Sequence, residues 1–261
     1  MKNFEYKKSL GQNFLIDQNI INKIINSIDI REDSIIIEIG PGSGALTKKL
    51  VELNANVISF EIDTRLKEEL DKLEKDNNNL KIIYEDFLNI DLNKFLKTKK
   101  YKNLYFVANL PYYITTAIIN KITKESNPTE MILMVQKEVA ERFSAVPNTK
   151  DYGSISVFLQ YNYDISKVAI VSKNCFFPVP KVDSMVIKFK SKESKLKVNN
   201  ENVFYKLIKD SFQFKRKNLK NNLKKYDLEK INNVLKKYNK DLTARAESLT
   251  VEEFIDISNN L

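Results

Sequence analysis

The sequence predicts an α/β protein with a doubly wound, mostly parallel sheet, which gives way near residue 191 to a small all-helical region. Three observations carry that expectation. A β-branched run, Ile35, Ile36 and Ile37, passes into a glycine-rich turn at Gly40, Gly42 and Gly44 and then into a helix-forming stretch over 46–53. A buried parallel strand feeding a helix has this pattern. Short apolar runs then alternate with amphipathic ones, which requires helices on the faces of a parallel sheet. Beyond residue 191, helical periodicities follow one another without a strand.

In order, the first helix is expected over 18–28, where Ile20, Ile21, Ile24, Ile25 and Ile28 fall at helical spacing. Strands follow at 35–39, 57–61, 80–84, 104–108 and 131–135, with helices over 65–75 and 137–145. The apolar run 152–163 favours helix, and 167–171 and 185–189 read as two final strands joined by the loop Cys175-Phe176-Phe177-Pro178-Val179-Pro180. A charged linker over 191–200 leads to helices at 203–214, 218–224, 228–238 and 251–259. The expected division is therefore 1–190 and 191–261.

Composition narrows the chemistry. A net charge of +9 and a pI near 9.2 over 261 residues suggest a polyanionic partner, and nucleic acid is favoured. The chain has no histidine, which removes histidine bases, Ser-His-Asp triads and imidazole metal ligands. Cys175 is the single cysteine, so disulfides and zinc clusters are not expected, nor is any metal site. Without a signal peptide or long apolar run, the expected setting is soluble and cytoplasmic, with no membrane partner.

Three of the five glycines stand at alternate positions, Gly40, Gly42 and Gly44. Such spacing serves a tight turn with positive φ that lets backbone approach a ligand, and the following helix directs its N-terminal N–H groups there. Glu61 ends the next strand about twenty residues on, where a doubly wound fold places the acid that grips a ribose. The cofactor stays open at this point, because Gly40-x-Gly42-x-x-Ala45 also fits a dinucleotide fingerprint. Asp86 falls on the same rim as Glu38, Gly40 and Glu61, since ligands bind beyond the carboxyl ends of parallel strands. Asn109-Leu110-Pro111-Tyr112-Tyr113 forms a stiff loop at that rim, with Pro111 fixing φ. Pro178 and Pro180 make an extended segment able to hold Phe176 out as a stacking plate. Lys215, Arg216, Lys217, Lys220, Lys224 and Lys225 form a basic stripe suited to phosphates.

Taken together, KKSLGQNFL (7–15), EIGPGSGALT (38–47), NLPYY (109–113), QKEVAER (136–142), FPVPKVDS (177–184, after Phe176), FQFKRKNLKNNL (212–223) and RAE (245–247) resemble the rRNA adenine N6-dimethyltransferases, in the small-subunit branch. The resemblance spans nearly the whole chain. It implies a Rossmann-like domain using S-adenosylmethionine, followed by a helical domain that recognises rRNA. The implied reaction methylates the N6 amines of two adjacent adenines in a hairpin loop near the 3′ end of 16S rRNA, within the small ribosomal subunit or its precursor. By position it assigns Gln12, Asn13 and Leu15 to closure over the cofactor, Gly40 to its sulfonium end, Glu61 to the ribose and Asp86 to the adenine amine, with Gly42 also binding the cofactor. It makes Asn109 the chief catalytic residue, touching the cofactor as well, with Leu110 and Pro111 beside it and Tyr112 and Phe176 stacking on the target base. Lys215, Arg216, Lys217 and Lys220 would meet RNA. One departure is Phe177, where a smaller residue is common in the family, so which phenylalanine stacks stays open. A monomer acting on RNA rather than DNA is expected.

The implied chemistry suits a chain without histidine. An exocyclic adenine amine is a poor nucleophile because its lone pair is delocalised into the ring; two carbonyl acceptors that pyramidalise it do more than a base, and the rest is positioning. A competing NAD(P) oxidoreductase would need Tyr163 and Lys167 on one helical face, whereas Lys167 reads as the start of a strand. A non-catalytic rRNA-binding assembly factor is another competitor, against which the intact 109–112 run argues; within the family, the antibiotic-resistance dimethyltransferases of large-subunit rRNA share the catalytic motifs, and the 212–223 and 245–247 runs favour the small-subunit branch over them.

Overall fold

In the computed structural model, residues 12–192 and 197–261 are described. Residues 7–11 of the first quoted motif and 193–196 of the expected linker lie outside them. A short β1 (Phe14–Leu15) leads into α1 (Gln18–Asn26), whose N-terminus is capped by Asp17 accepting from the Asn19 and Ile20 amides. Ile20, Ile21 and Ile24 are buried, as their spacing requires.

The sheet is built from β2 (Ser34–Ile39), β3 (Asn56–Phe60), β4 (Leu80–Ile83), β5 (Asn103–Asn109), β6 (Glu130–Gln136), β7 (Tyr163–Val171) and β9 (Ser184–Ser191), with spatial order β4-β3-β2-β5-β6-β9-β7. The five strands from β4 to β6 run parallel, and β9 pairs antiparallel with β6. Every residue of β2 is buried, which is why Ile35, Ile36 and Ile37 follow one another without the alternation of a half-exposed strand. The chain lays down β2, β3 and β4 outward, then returns to place β5 against the other side of β2. That reversal is the switch point beside which doubly wound sheets bind ligands.

The glycine turn follows β2 with all three glycines at positive φ, +71° at Gly40 and +57° at Gly42 among them. Regular helix after it, α2 (Thr47–Leu50), is shorter than expected. The expected helix at 65–75 is a 3-10 turn over Thr64–Leu66 continued by α3 (Lys67–Asp76). Two helices were passed over in the sequence, α4 (Leu92–Lys97) and α5 (Thr115–Glu125). The second was legible, because Thr115, Ile118, Ile119 and Ile122 form its buried stripe. After β6 come α6 (Lys137–Phe143) and α7 (Ser154–Asn162), the latter resolving the ambiguous apolar run as helix. Tyr163 and Lys167 both lie on β7, which denies them the helical face a reductase would use.

The chain divides into two compact units, Met1–Ala140 with Ser166–Ser191 and Glu141–Ile165 with Lys192–Leu261. The expected boundary near 190 therefore needs correction: 141–165 belongs with the helical unit. The cause is packing. Tyr152, Val157 and Tyr161 share a core with Phe204, Leu207 and Phe254, and the Tyr161 and Phe204 rings stand 4.7 Å apart. That unit carries α8 (Glu201–Ser211), α9 (Leu219–Asn222), α10 (Leu228–Lys237) and α11 (Val251–Asn259). Among the described residues no helix is long and apolar enough to cross a membrane.

Gly42 cannot be replaced cheaply. A Cβ there would meet the Phe14 ring at 2.7 Å, on a backbone L-residues avoid. Gly42→Ala is expected to lower stability by about 1–2 kcal/mol, read as a lower urea midpoint at unchanged slope.

Candidate active site

A cavity of about 220 Å³ opens at the carboxyl ends of β2, β3, β4 and β5. Its walls include Gln12, Asn13, Leu15, Gly40, Gly42, Glu61, Asp86, Asn109, Leu110, Pro111 and Tyr112. Every cofactor-side and catalytic residue named from the sequence therefore lines one cleft. Gly40 is exposed at its rim, and nothing lies within 4 Å of where its Cβ would be. At Gly42 the close neighbour is a protein ring, Phe14.

Glu61 is buried and braces the turn: its Oε2 accepts from the Gly42 amide at 3.0 Å and its Oε1 from the Asp63 amide at 2.8 Å. Burial raises its pKa despite these bonds. As a carboxylate it can accept further bonds beyond these two. Asp86 ends the β4 connection half-buried; its Oδ1 caps the following turn at Leu88, 2.9 Å, and its other oxygen is not used in that cap. Glu38, buried in the cleft wall, accepts from Thr47 Oγ1 at 2.8 Å and Ser59 Oγ at 2.6 Å, both on Oε2. Desolvation pushes its pKa up to about 7, with the hydroxyls opposing and the Glu61 charge adding to the rise.

Asn109 is the last residue of β5, and its side-chain amide donates to the Asn13 carbonyl at 2.9 Å. That bond fixes the amide so that Oδ1 is the acceptor presented elsewhere. The Leu110 amide is tied to the Met134 carbonyl, and the Pro111 carbonyl accepts from Ile114 and Thr115. No described residue donates to the Leu110 carbonyl. Two carbonyl oxygens are thus available side by side in sequence. Tyr112 is pinned through its hydroxyl to Ser184 Oγ at 2.8 Å, and burial raises its pKa. Ser184 closes the FPVPKVDS motif, so that motif and NLPYY meet through this bond.

The two candidate stacking rings differ in exposure. Phe176 is 1% exposed and packs in the main core. The exposed ring is Phe177, at 53%. Register explains the difference: Leu15 pairs with Phe176 and Phe14 with Phe177 across β1 and β8 (Phe176–Phe177). Successive residues of a strand face opposite ways, so one is buried and its neighbour is not.

Lys215, Arg216, Lys217 and Lys220 are exposed in the helical unit. The first three sit in the turn after α8, not on a helix, and Asn222 holds that turn by donating to the Ser211 and Phe214 carbonyls and accepting from the Phe214 amide. Sequence reasoning missed Asp63 and Ser184. A signal existed for the first, which stands two residues beyond Glu61, and for the second, which ends a quoted motif. Among the described residues no group of acids and cysteine is arranged to hold a metal.

Acids and backbone turns at the switch point of a Rossmann-like sheet, with an amide-bearing loop beside them, define the class as a methyltransferase-type α/β fold carrying a helical C-terminal unit. The comparisons make this specific: residues 3–261 match the family described as ribosomal RNA adenine dimethylase, and the chain belongs to that family. It is 41% identical over 259 residues to the ribosomal RNA small subunit methyltransferase A of Clostridium botulinum strain Loch Maree, covering 98% of this chain and 94% of that one. The protein of the same name from Clostridioides difficile strain 630 is 42% identical, with 98% and 91% covered. Among solved structures, a dimethyladenosine transferase from Plasmodium falciparum is similar with a TM-score of 0.79 at 28% identity, covering 93% of this chain and 95% of that one. A 23S rRNA methyltransferase, ErmE, gives 0.75 at 25%, with 95% and 99% covered. The chain is thus an rRNA adenine dimethyltransferase by family, and methyltransferase chemistry implies S-adenosylmethionine.

Glu38 gives a pH signature. Its folded pKa, about 7, lies above the ordinary carboxyl value of 4.5, so the folded state holds the proton more tightly than the unfolded chain. Its contribution to stability is full below pH 4.5 and is lost as pH rises towards 7. Glu38→Gln is expected to flatten the fall in stability between pH 5 and pH 8 in urea titrations; an unchanged fall would assign it to other groups.

Proposed function

We propose that the protein transfers methyl groups from S-adenosylmethionine to the N6 amines of two adjacent adenines in a hairpin loop near the 3′ end of 16S rRNA. The product is a pair of N6,N6-dimethyladenosines, made in the small ribosomal subunit or its precursor. The observation that carries the reading is the Asn109 amide, oriented by the Asn13 carbonyl so that its own carbonyl, with that of Leu110, is free to accept. When bound, the cofactor supplies an electrophilic methyl group on a sulfonium.

The residues present fit that cofactor. Gly40 leaves room for close approach, Glu61 keeps acceptor capacity for the ribose hydroxyls, and Asp86 has an oxygen for the adenine amine. Gln12, Asn13 and Leu15 close the cleft over it. Asn109 Oδ1 and the Leu110 carbonyl accept the two N6–H bonds of the target base, drawing its nitrogen out of conjugation so that the lone pair points at the methyl group. Pro111 holds the two carbonyls in place. Tyr112, fixed by Ser184, offers its ring to one face of the adenine, and Phe176 or Phe177, of which the second is the exposed one, stacks on the other. The target must be unpaired or flipped out to enter. The alkylated nitrogen is acidic enough to lose its proton to water, so no histidine is needed.

Lys215, Arg216, Lys217 and Lys220 contact rRNA phosphates. The protein acts as a monomer in the cytoplasm, on RNA and not DNA. Methylation of large-subunit rRNA is the second reading, already open from the shared motifs and supported by the similarity to ErmE. The relatives named for the small subunit, similar along nearly the whole chain, favour the first.

Asn109→Ala is expected to slow single-turnover methylation of small-subunit particles at least a hundredfold while changing the dissociation constants of cofactor and particles by less than tenfold, because its acceptor matters most as the amine pyramidalises. A rate within twofold of wild type would remove Asn109 from catalysis. Mapping the methylated adenines, with large-subunit rRNA offered in parallel, tests the substrate.

Replacing Lys215, Arg216, Lys217 and Lys220 together by Ala is expected to weaken particle binding and reduce the slope of log affinity against log salt by roughly 0.7–0.9 per lost phosphate contact. Calorimetry with S-adenosylmethionine should show no change.

A further inference from the structure

Asp63 does not line the cleft, yet it is buried and fully engaged. Its Oδ1 caps the 3-10 turn at the Arg65 amide, 3.2 Å, and accepts from Arg65 Nε at 2.8 Å. Its Oδ2 takes the Arg65 Nη2 at 2.6 Å and, from a segment 51 positions away in the chain, Gln12 Nε2 at 2.7 Å. Capping needs one oxygen; the second reaches Gln12. The Arg65 guanidinium and these bonds hold the carboxyl at about 2, so it is ionised at any working pH.

The segment that begins with Gln12 touches each working part of the cleft. The Asn13 carbonyl orients the catalytic amide of Asn109 at 2.9 Å. The Phe14 ring lies where a Cβ on Gly42 would be. Phe14 and Leu15 pair with Phe177 and Phe176, and the Ile16 amide continues the pairing to the Cys175 carbonyl at 2.9 Å. A two-residue strand pair is too short to hold itself, so the segment depends on its anchors.

We propose that Asp63 is a positioning residue for methyl transfer: through Gln12 it latches 12–16 across the cleft, and so couples retention of the cofactor to the placement of Asn109 and Phe177. This rests on the methyl-transfer reading given above. The second carboxylate of the Glu61-Ile62-Asp63 run thereby serves the lid of the cleft and not its floor. Loss of the latch lets cofactor escape and misorients the Asn109 carbonyl in the same event, so the two defects appear together.

The test uses Asp63→Ser, which keeps a capping oxygen but cannot reach Gln12, and Asp63→Asn, whose side-chain oxygen can still accept from Gln12 Nε2 and Arg65 Nη2 while the cap at the Arg65 amide is given up. Three quantities are read in the full-length protein: hydrogen exchange at the Ile16 amide, the dissociation rate of S-adenosylmethionine, and the single-turnover rate on small-subunit particles. A lost hydrogen bond to a charged group corresponds to roughly tenfold or more. Asp63→Ser is expected to raise exchange and cofactor release by about that factor and to slow single turnover, Asp63→Asn to recover most of each, and Asp63→Ser in a Gln12→Ala background to add less than about twofold. Unchanged Ile16 exchange in Asp63→Ser, or an undiminished effect of it in the Gln12→Ala background, overturns the latch. The exchange measurement needs no cofactor, so failure of the wild type to bind S-adenosylmethionine would defeat the methyl-transfer reading while the latch is still decided.

Discussion

The pairing of β2 with β3 on one side and β5 on the other is the constraint on which the rest depends. Parallel pairing in this order sets the carboxyl ends of three strands at one rim, and with them Gly40, Glu61 and Asn109. None of the three can do its work from a different register: shifting β5 by one residue along β2 would turn the Asn109 side chain to the opposite face. The sheet interior secures that register, since Ile36, Ile37, Tyr105, Phe106 and Val107 are all fully buried and a slip would expose or clash them.

The rim alone does not make a closed site. The turn after β2, the acid after β3 and the loop after β5 are joined by a segment from the start of the described chain, which bonds to Asp63, orients Asn109 and pairs with 176–177. Glu61 contributes from beneath, because its bond to the Gly42 amide holds the glycine turn in shape before any ligand arrives. Preorganisation of this kind spares the reaction the cost of ordering these groups as it proceeds.

Much of this was legible in the sequence, and the reasons divide cleanly. The β2 run, the glycine turn and the acid at Glu61 carry local signatures, and each fell where expected. The rigid loop at 109–112 was readable from Pro111. What could not be read depends on contacts between distant segments. Periodicity does not place Phe14 opposite Phe177, so it could not say that Phe176 is the buried partner of that pair. Nor does a composition change at 191 reveal that Tyr152, Val157 and Tyr161 pack with the later helices. The grouping of 141–165 with that unit is a fact of packing, without a local mark.

Charge is distributed between the two units in a way that fits the proposed reaction. The cleft wall carries Glu38, Glu61, Glu85 and Asp86, while the turn after α8 carries Lys215, Arg216 and Lys217. Transfer of a methyl group removes positive charge from sulfur and builds it on nitrogen. Carboxylates beside the sulfur would favour the starting state over the transition state, which slows the chemical step. A sound arrangement keeps the ionised acids at the ribose and adenine ends, where they contribute binding, and puts neutral carbonyl dipoles at the amine, where charge develops. The pocket follows that logic in its chemistry: the groups in the 109–110 run are amide and peptide carbonyls, and Glu38, beside the glycine turn, has its pKa raised by burial to about 7, which leaves it only partly ionised at neutral pH. A chain of net charge +9 can thus keep an acidic cleft for a cationic cofactor and a basic turn for a polyanion, because the two sets of charges sit in different units of the fold.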